Sequence, residues 1–251
     1  MGFAKFLDLL RFVRLRDVLE GWKLPVAALA APFYRRKHPD LWIVSEDPME
    51  ARDNGLWFFC YVREKHPDQP CVFAIRRASP DFDRVAALGD TVEYGSLKHW
   101  VLYLASRVQI SSQKSGDPNA PIFYFLQVYG LLKNRRLFLQ HGITVNDPTW
   151  LHYGETRISR FLCGAKPEYE FVRDRFGYPE GSVRYTGLCR FDGLHRPDTD
   201  PRLILIMPTW RNWLAVRPDK LRDLEGVADV SESSYFTRWR CPTPRTTRQS
   251  P

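Results

Sequence analysis

One segment of the sequence combines residue types that could perform acid–base chemistry with a position at the end of a buried strand. The apolar run Arg136–Leu139 is followed directly by Gln140, His141 and Gly142. An imidazole titrates near neutral pH, so His141 could take the proton of a hydroxyl group. Gly142 would allow a sharp turn or the close approach of a ligand. The alternative is a core histidine that bonds to a backbone carbonyl, and one His-Gly pair does not decide between the two.

Polar residues also follow two later runs of strand length. Arg190 and Asp192 lie after the first run, and Thr209 and Arg211 lie directly after the second, Leu203–Met207. A hydroxyl and a guanidinium together suit a phosphate oxygen, because the guanidinium can bind it through two parallel hydrogen bonds. The alternative for Arg211 is a surface salt bridge.

The sequence lacks the short motifs of several large enzyme classes. It contains no GxxxxGK[ST], GxGxxG or GxSxG, so we expect no P-loop, no dinucleotide fingerprint and no hydrolase nucleophile elbow. The histidines do not share metal-ligand spacing, and the five cysteines are scattered without a Cys-x-x-Cys pair. We therefore expect no metal site, no disulfide framework and a reducing compartment.

Strand-length apolar runs alternate with helix-length segments along most of the chain. The predicted strands are Leu41–Ser45, Cys71–Ile75, Val92–Tyr94, Arg107–Ile110, Arg136–Leu139, Val183–Thr186 and Leu203–Met207. The predicted helices are Gly55–Lys65, Phe82–Leu88, Leu97–Ser106 and Glu168–Phe176. Such alternation predicts an α/β fold with a doubly wound parallel sheet, whose carboxyl edge binds ligands. His141 would lie at that edge.

Composition and charge narrow the class of partner. The 251 residues are 44% apolar and 26% charged, which is typical of a globular chain, and the longest apolar run is only Leu24–Phe33. A membrane-spanning helix needs about twenty such residues, so we expect none, and we expect no cleavable signal peptide. Residues 1–37 carry a net charge of +5 and residues 238–251 one of +4, which leaves −1 for the 200 residues between them. A nucleic-acid-binding surface is therefore not expected.

The two basic ends differ in kind. One helical face in the basic segment 1–37 is apolar and could lie on an anionic membrane surface; its residues are Phe3, Phe6, Leu7, Leu10, Val13 and Val18. The alternative is a helix packed on the core of its own domain. The tail, residues 241–251, is rich in proline and is expected to be disordered.

Several ordered motifs resemble the CDP-glycerol glycerophosphotransferase family of teichoic acid polymerases and primases. They are Trp42-Ile43-Val44-Ser45-Glu46, Asp53-Asn54-Gly55, Tyr94-Gly95-Ser96-Leu97-Lys98-His99, Gln140-His141-Gly142, Phe176-Gly177-Tyr178-Pro179, Gly187-Leu188-Cys189-Arg190-Phe191-Asp192 and Pro208-Thr209-Trp210-Arg211. The resemblance spans roughly residues 24–240. It implies a GT-B-like architecture, in which two Rossmann-like domains face each other across a cleft.

The resemblance also implies a reaction. Members of this family transfer glycerol phosphate from CDP-glycerol to a hydroxyl of a membrane-bound polyprenol-linked acceptor and release CMP, with no cofactor. His141 matches the histidine taken as the general base. Gly142, Arg190, Asp192, Thr209 and Arg211 are the expected substrate-binding residues. An enzyme that uses such an acceptor would work peripherally at the cytoplasmic face of the membrane, and it could form a homo-oligomer.

The expected domains are a basic amphipathic segment (1–37), a Rossmann-like acceptor-side domain (38–195), a partial CDP-glycerol-side domain (202–240) and the tail (241–251). Because the second domain holds one predicted strand and part of a helix, we expect a truncation or frameshift at the carboxyl end. Two functions compete: glycerophosphate transfer, and an inactive remnant that only binds the acceptor or the membrane surface.

Overall fold

A seven-stranded parallel sheet forms the centre of the molecule. The computed structural model describes residues 13–114, 116–132 and 134–194, all within the first of the two units into which the chain divides, Met1–Pro197. The strands are β1 (Trp42–Ser45), β2 (Cys71–Ile75), β3 (Thr91–Glu93), β4 (Val108–Ser111), β5 (Arg135–Phe138), β6 (Arg160–Cys163) and β7 (Val183–Tyr185). Their order is β3-β2-β1-β4-β5-β6-β7, and every pair is parallel. The predicted doubly wound α/β fold is confirmed.

Helices cover both faces of the sheet. They are α1 (Leu15–Leu19), α2 (Lys23–Lys37), α3 (Asn54–Lys65), α4 (Phe82–Leu88), α5 (Leu97–Ala105), α6 (Ala120–Val128), α7 (Tyr153–Thr156) and α8 (Lys166–Arg175), with 3-10 turns at Thr149–Leu151 and Cys189–Leu194. Strand side chains alternate between the faces. In β1, Val44 packs into the cluster with Phe59 of α3, whereas Ile43 packs into the cluster with Trp100 of α5.

The strand order places a crevice next to β1. The chain first builds outward to β2 and β3, then returns to add β4 on the other side of β1. Loops that leave the carboxyl ends of β1 and β4 therefore diverge, and open α/β sheets bind ligands at such a point. The segments that follow β1, β4 and β5 meet at this edge.

Several elements of the structure were not predicted from the sequence, among them α2, α6, α7 and β6. Helix α2 runs through Pro25 and Pro32, within the apolar run Leu24–Phe33, and it packs against α5, where its buried Ala27 joins the cluster around Trp100. Strand β6 begins with an exposed arginine, so its apolar run is too short to stand out. Helix α6 begins after Asn119, whose side chain accepts a hydrogen bond from the Ile122 amide at 3.2 Å.

Several expectations lie outside the described residues. These are the strand Leu203–Met207, the partial domain 202–240, the tail 241–251, and the part of the amphipathic face that contains Phe3, Phe6, Leu7 and Leu10. No helix in the described part of the chain is long and apolar enough to cross a membrane.

Candidate functional site

His141 lies at the carboxyl edge of the sheet, immediately beyond β5. The last sheet-like hydrogen bond runs from the Leu139 amide to the Ser111 carbonyl at 2.8 Å, after which the chain turns. The His141 side chain is exposed, and its Nδ1 atom lies 3.3 Å from the Ser112 carbonyl oxygen. A carbonyl oxygen can only accept, so this contact favours the tautomer with hydrogen on Nδ1. The Nε2 lone pair then remains available for a proton.

Gln140 fixes the turn that carries His141. Its backbone has φ of 66°, in the left-handed region, which is uncommon for a residue other than glycine. Its side-chain oxygen accepts from the His141 amide at 3.0 Å, and its amide nitrogen donates to Thr144 Oγ1 at 2.7 Å. These hydrogen bonds hold a conformation that the backbone alone would not prefer.

Of the two roles expected for Gly142, a sharp turn and the close approach of a ligand, the structure does not show the first. A side chain there would meet no atom within 4 Å among the described residues, and Gly142 is not among the residues with positive φ. The unusual backbone conformation belongs to Gln140 instead. The open space leaves room beside His141 for a ligand.

Glu168, in the first turn of α8, ties the turn after β5 to the loop after β6. Its side chain is buried and accepts hydrogen bonds from the backbone amides of Thr144 at 2.8 Å and Gly164 at 2.7 Å, and from Gln140 Nε2 at 3.3 Å. A buried carboxylate is stabilised only when such donors replace water. A Cβ at Gly164 would lie 2.5 Å from the end of the Ile143 side chain and 2.8 Å from Leu188 Cγ, so a larger residue would displace these neighbours.

Asn54 connects the turn to the segment that contains Arg190. Its fully buried side chain donates from Nδ2 to the Gln140 carbonyl at 2.7 Å and accepts from the Arg190 amide at 3.0 Å. The Arg190 guanidinium bonds to the Asp53 carboxylate. Two motifs that are 136 positions apart in the sequence thus meet beside His141.

Glu46 supports the start of α3 from the loop after β1. Its carboxylate accepts from the backbone amides of Arg52 at 2.8 Å and Leu56 at 2.6 Å. Burial raises the pKa of Glu46, and these backbone hydrogen bonds oppose the increase. Gly55 makes room for it, because a Cβ there would lie 2.7 Å from Glu46 Cγ.

The structure brings together some of the predicted site residues. His141, Gly142 and Arg190 lie in one hydrogen-bonded region, whereas Asp192 is exposed in the final 3-10 turn. Thr209 and Arg211 lie outside the described residues. Sequence reasoning missed Asn54, Gln140 and Glu168 as positioning residues; their polar type at buried positions is a signal that only the fold reveals.

His99, from another of the motifs, is a structural residue. Its ring is fully buried, Nδ1 accepts from the Gly95 amide at 3.0 Å, and burial lowers the pKa to about 3. It is therefore neutral near pH 7 and stabilises the turn into α5. In the described part of the chain, no group of three or more His, Cys, Asp or Glu residues could hold a metal ion.

Comparison with known proteins gives one relative in sequence. The chain is 30% identical over 204 residues to the minor teichoic acid biosynthesis protein GgaB of Bacillus subtilis (strain 168). The match covers 79% of this chain but only 22% of GgaB, so the chain spans about a fifth of the length of this curated relative. No protein-family model matches the chain.

Solved structures share the fold. A variant of the wall teichoic acid polymerase TagF superposes with a TM-score of 0.50 at 10% identity, covering 78% of this chain and 49% of that one. A second TagF structure gives a TM-score of 0.49 at 13% identity, covering 77% and 49%. The chain thus spans about half the length of TagF. The sequence match to a teichoic acid biosynthesis protein and the fold shared with a wall teichoic acid polymerase both agree with the resemblance that the motifs indicate.

Proposed function

We propose that the chain contributes to the transfer of glycerol phosphate from CDP-glycerol to a hydroxyl of a polyprenol-linked acceptor, with His141 as the general base. The observation that carries this proposal is the geometry of His141, which is exposed at the ligand-binding edge of the sheet with Nδ1 directed to the Ser112 carbonyl. The motifs and the names of the relatives supply the substrate class. The product of this transfer would be teichoic acid or a related surface polymer.

The proposed step is a displacement at phosphorus. The acceptor hydroxyl oxygen bonds to the phosphorus that carries the glycerol, and the bond from that phosphorus to the CMP oxygen breaks. The hydroxyl proton passes to His141 Nε2, and CMP leaves with the bonding electrons. Asn54, Gln140 and Glu168 hold the base in position but do not touch the reacting atoms. Thr209 and Arg211 remain predicted contacts to the donor phosphates.

CMP release from CDP-glycerol in the presence of a polyprenol-linked acceptor tests this proposal. Replacing a general base costs about 10²–10⁴-fold in rate, so we expect His141→Gln to lower CMP release by at least that lower limit. His66→Gln is the matched control, because His66 is also exposed but lies at the end of α3. Equal rates for wild type and His141→Gln would reject the base assignment. No release by the wild-type chain would favour the rival hypothesis of a remnant that only binds.

We further propose that the chain associates peripherally with the cytoplasmic face of an anionic membrane. A continuous apolar stripe of α1 and α2 is exposed: Leu15, Val18, Leu19, Trp22, Val26, Leu29 and Phe33. Phe33 is 79% exposed and Leu29 is 74% exposed, whereas Ala27 and Ala31, on the opposite side of α2, are buried. A helix that is apolar on both faces needs a second apolar environment.

Basic side chains lie next to the stripe, and their positive charge favours binding to an anionic membrane surface. Arg36 and Lys37 are exposed at the carboxyl end of α2, and Arg14 and Arg16 are exposed at α1. Basic side chains near an anionic surface each contribute about 1 kcal/mol to binding, and buried apolar side chains add to it. These residues lie within the basic segment 1–37 for which the sequence predicts contact with a membrane surface.

A further inference from the structure

The hydrogen bond between His141 and the Ser112 carbonyl depends on how that carbonyl is oriented. Ser112 is the first residue after β4, and its side chain is fully buried. In the described part of the chain, the Ser112 hydroxyl has no hydrogen-bond partner of its own. Neighbouring residues must therefore hold the peptide group that faces the imidazole.

The side chain of Ser111 holds the other end of this peptide group. The Ser112 carbonyl and the Gln113 amide belong to one planar trans peptide, so their C=O and N–H bonds point in opposite directions. The Gln113 amide donates to Ser111 Oγ at 3.0 Å, which closes a short turn of a kind that serine commonly stabilises. With the N–H directed to Ser111, the carbonyl on the opposite side is directed to His141.

Gly116 packs against Ser111 at the crevice between β1 and β4. Ser45 and Ser111 are paired positions at the ends of these two strands, and both are buried. Ser45 Oγ donates to the Gly116 carbonyl at 3.2 Å, which brings the loop after β4 back over the strand ends. Gly116 has φ of 74°, in the left-handed region that favours glycine.

The space at Gly116 is too small for any side chain. A Cβ there would overlap Ser45 Oγ and would lie 2.6 Å from Ser111 Oγ and 2.9 Å from Ser111 Cβ. A hydroxyl group can rotate away from such a contact, but the Ser111 Cβ atom is fixed to the backbone at the end of β4. A larger residue at position 116 would therefore displace Ser111 and with it the turn around Ser112.

We propose that Ser111 and Gly116 are positioning residues for His141 and act through the Ser112 carbonyl. This carbonyl accepts the hydrogen on Nδ1, which leaves the Nε2 lone pair for the proton of the acceptor hydroxyl. Neither residue touches the reacting atoms. The inference rests on the proposed function, because it explains how the proposed base is kept in the form that can take a proton.

The tautomer of His141 tests this inference without substrate. Two-bond ¹H–¹⁵N correlation spectra of the histidine rings, recorded at about pH 8.5, where an ordinary imidazole is neutral, distinguish hydrogen on Nδ1 from hydrogen on Nε2. The spectrum of His141→Gln identifies the His141 signals. We expect the wild type to carry the hydrogen mainly on Nδ1, and Gly116→Ala and Ser111→Ala to shift His141 toward the Nε2–H tautomer.

Two control variants separate positioning from general loss of stability. Gly130→Ala introduces a side chain at a φ of 68°, but no atom of the described residues lies within 4 Å of the new Cβ. Ser159→Ala also removes a hydroxyl that accepts from a backbone amide, that of Arg136 at 3.3 Å, but at the opposite edge of the sheet. We expect both controls to keep the wild-type tautomer, even where urea denaturation shows lower stability.

CMP release links the tautomer to the reaction. We expect Gly116→Ala and Ser111→Ala to lower kcat by about tenfold to a hundredfold with little change in the KM for CDP-glycerol, and both controls to keep the wild-type values. If Gly116→Ala does not fold, Ser111→Ala, which removes only a hydroxyl, provides the test.

Three results would overturn the inference: a wild-type His141 with its hydrogen mainly on Nε2, a wild-type tautomer in both site variants, or a shifted tautomer with unchanged kcat. The tautomer also distinguishes failure of this inference from failure of the proposed function. If the wild type releases no CMP but the tautomer shifts in the site variants and not in the controls, the positioning of His141 is supported and the transfer reaction is rejected.

Discussion

The turn after β5 and the apolar stripe on α1 and α2 depart from the simplest pattern of a globular domain in opposite ways. The turn buries polar side chains, Asn54, Gln140 and Glu168, and satisfies them with hydrogen bonds from four different segments. The stripe instead leaves apolar side chains exposed, from 42% at Val26 to 79% at Phe33. The first departure fixes a geometry within the chain, whereas the second calls for an environment outside it.

Removing the carboxylate of Glu168 should have the largest effect on stability, because its hydrogen bonds hold the turn after β5. Glu168→Leu leaves the amides of Thr144 and Gly164 without acceptors, at about 1–3 kcal/mol each, so we expect the free energy of unfolding to fall by roughly 3 kcal/mol or more. Urea denaturation measures it. Glu170→Leu, an exposed position on the same helix, should change stability little. Similar losses in both variants would contradict the assignment.

Asn54→Asp tests the connection between two motifs. An aspartate cannot donate to the Gln140 carbonyl, and it places a negative charge in a buried site next to Asp53. We expect a loss of about 2 kcal/mol in the free energy of unfolding, again from urea denaturation. Asn146→Asp, at an exposed position, is the control. If Asn54→Asp proved as stable as that control, Asn54 would not hold the turn.

Charges on the stripe should change membrane binding without loss of folding. We expect Leu29→Glu combined with Phe33→Glu to lower partitioning onto phosphatidylglycerol vesicles by at least about tenfold, because both side chains lose apolar contact with lipid. Co-sedimentation measures the bound fraction. Tyr61→Glu, which places a charge on the exposed side of α3, should bind as the wild type does. Retained binding by the double variant would exclude the stripe as the contact surface.

The buried His99 should make stability depend on pH. Burial lowers its pKa to about 3 in the folded chain, whereas the unfolded chain takes up a proton near its ordinary value of 6.5. Stability is therefore greatest above pH 6.5 and falls as the pH decreases toward 3, by about 1 kcal/mol at pH 5.5. His99→Gln should reduce this slope in urea denaturation, and an unchanged slope would contradict the assignment. Asp117 acts in the opposite sense, because its raised pKa of about 6 favours the folded chain at lower pH.

Much of the sheet could be predicted from local sequence. Strands β1 to β5 and β7 begin and end within one residue of the predicted runs. Strand β2 is buried at every position, whereas β7 is buried only at Val183. Strand β6 could not be predicted in this way, since Arg160 opens a run of only three apolar residues. Helix α2 was missed because a proline inside a helix is locally unfavourable, whereas α2 contains Pro32 and packs against α5.

The site was predicted only in part. The candidate base directly follows its strand in the sequence, whereas the residues that hold it in position are far from it in the sequence. His141 follows its strand directly, so its position at the sheet edge could be inferred. The partners of Asn54 are residues 86 and 136 positions away, and Glu168 reaches back 24 positions to Thr144. No spacing rule relates residues so far apart. The unusual φ of Gln140 follows from these partners and not from its own type.

The central place of β1 affects how the chain folds during synthesis. Strand β1 pairs with β2 on one side, but its other edge waits for β4, which starts at Val108. Until the ribosome has released that segment, the open edge of β1 exposes unpaired amides and carbonyls beside apolar side chains such as Ile43. A slow stretch of translation between the two strands would therefore favour aggregation over folding. Once β4 docks, the amides of β1 become covered on both sides and should be among the slowest to exchange with deuterium.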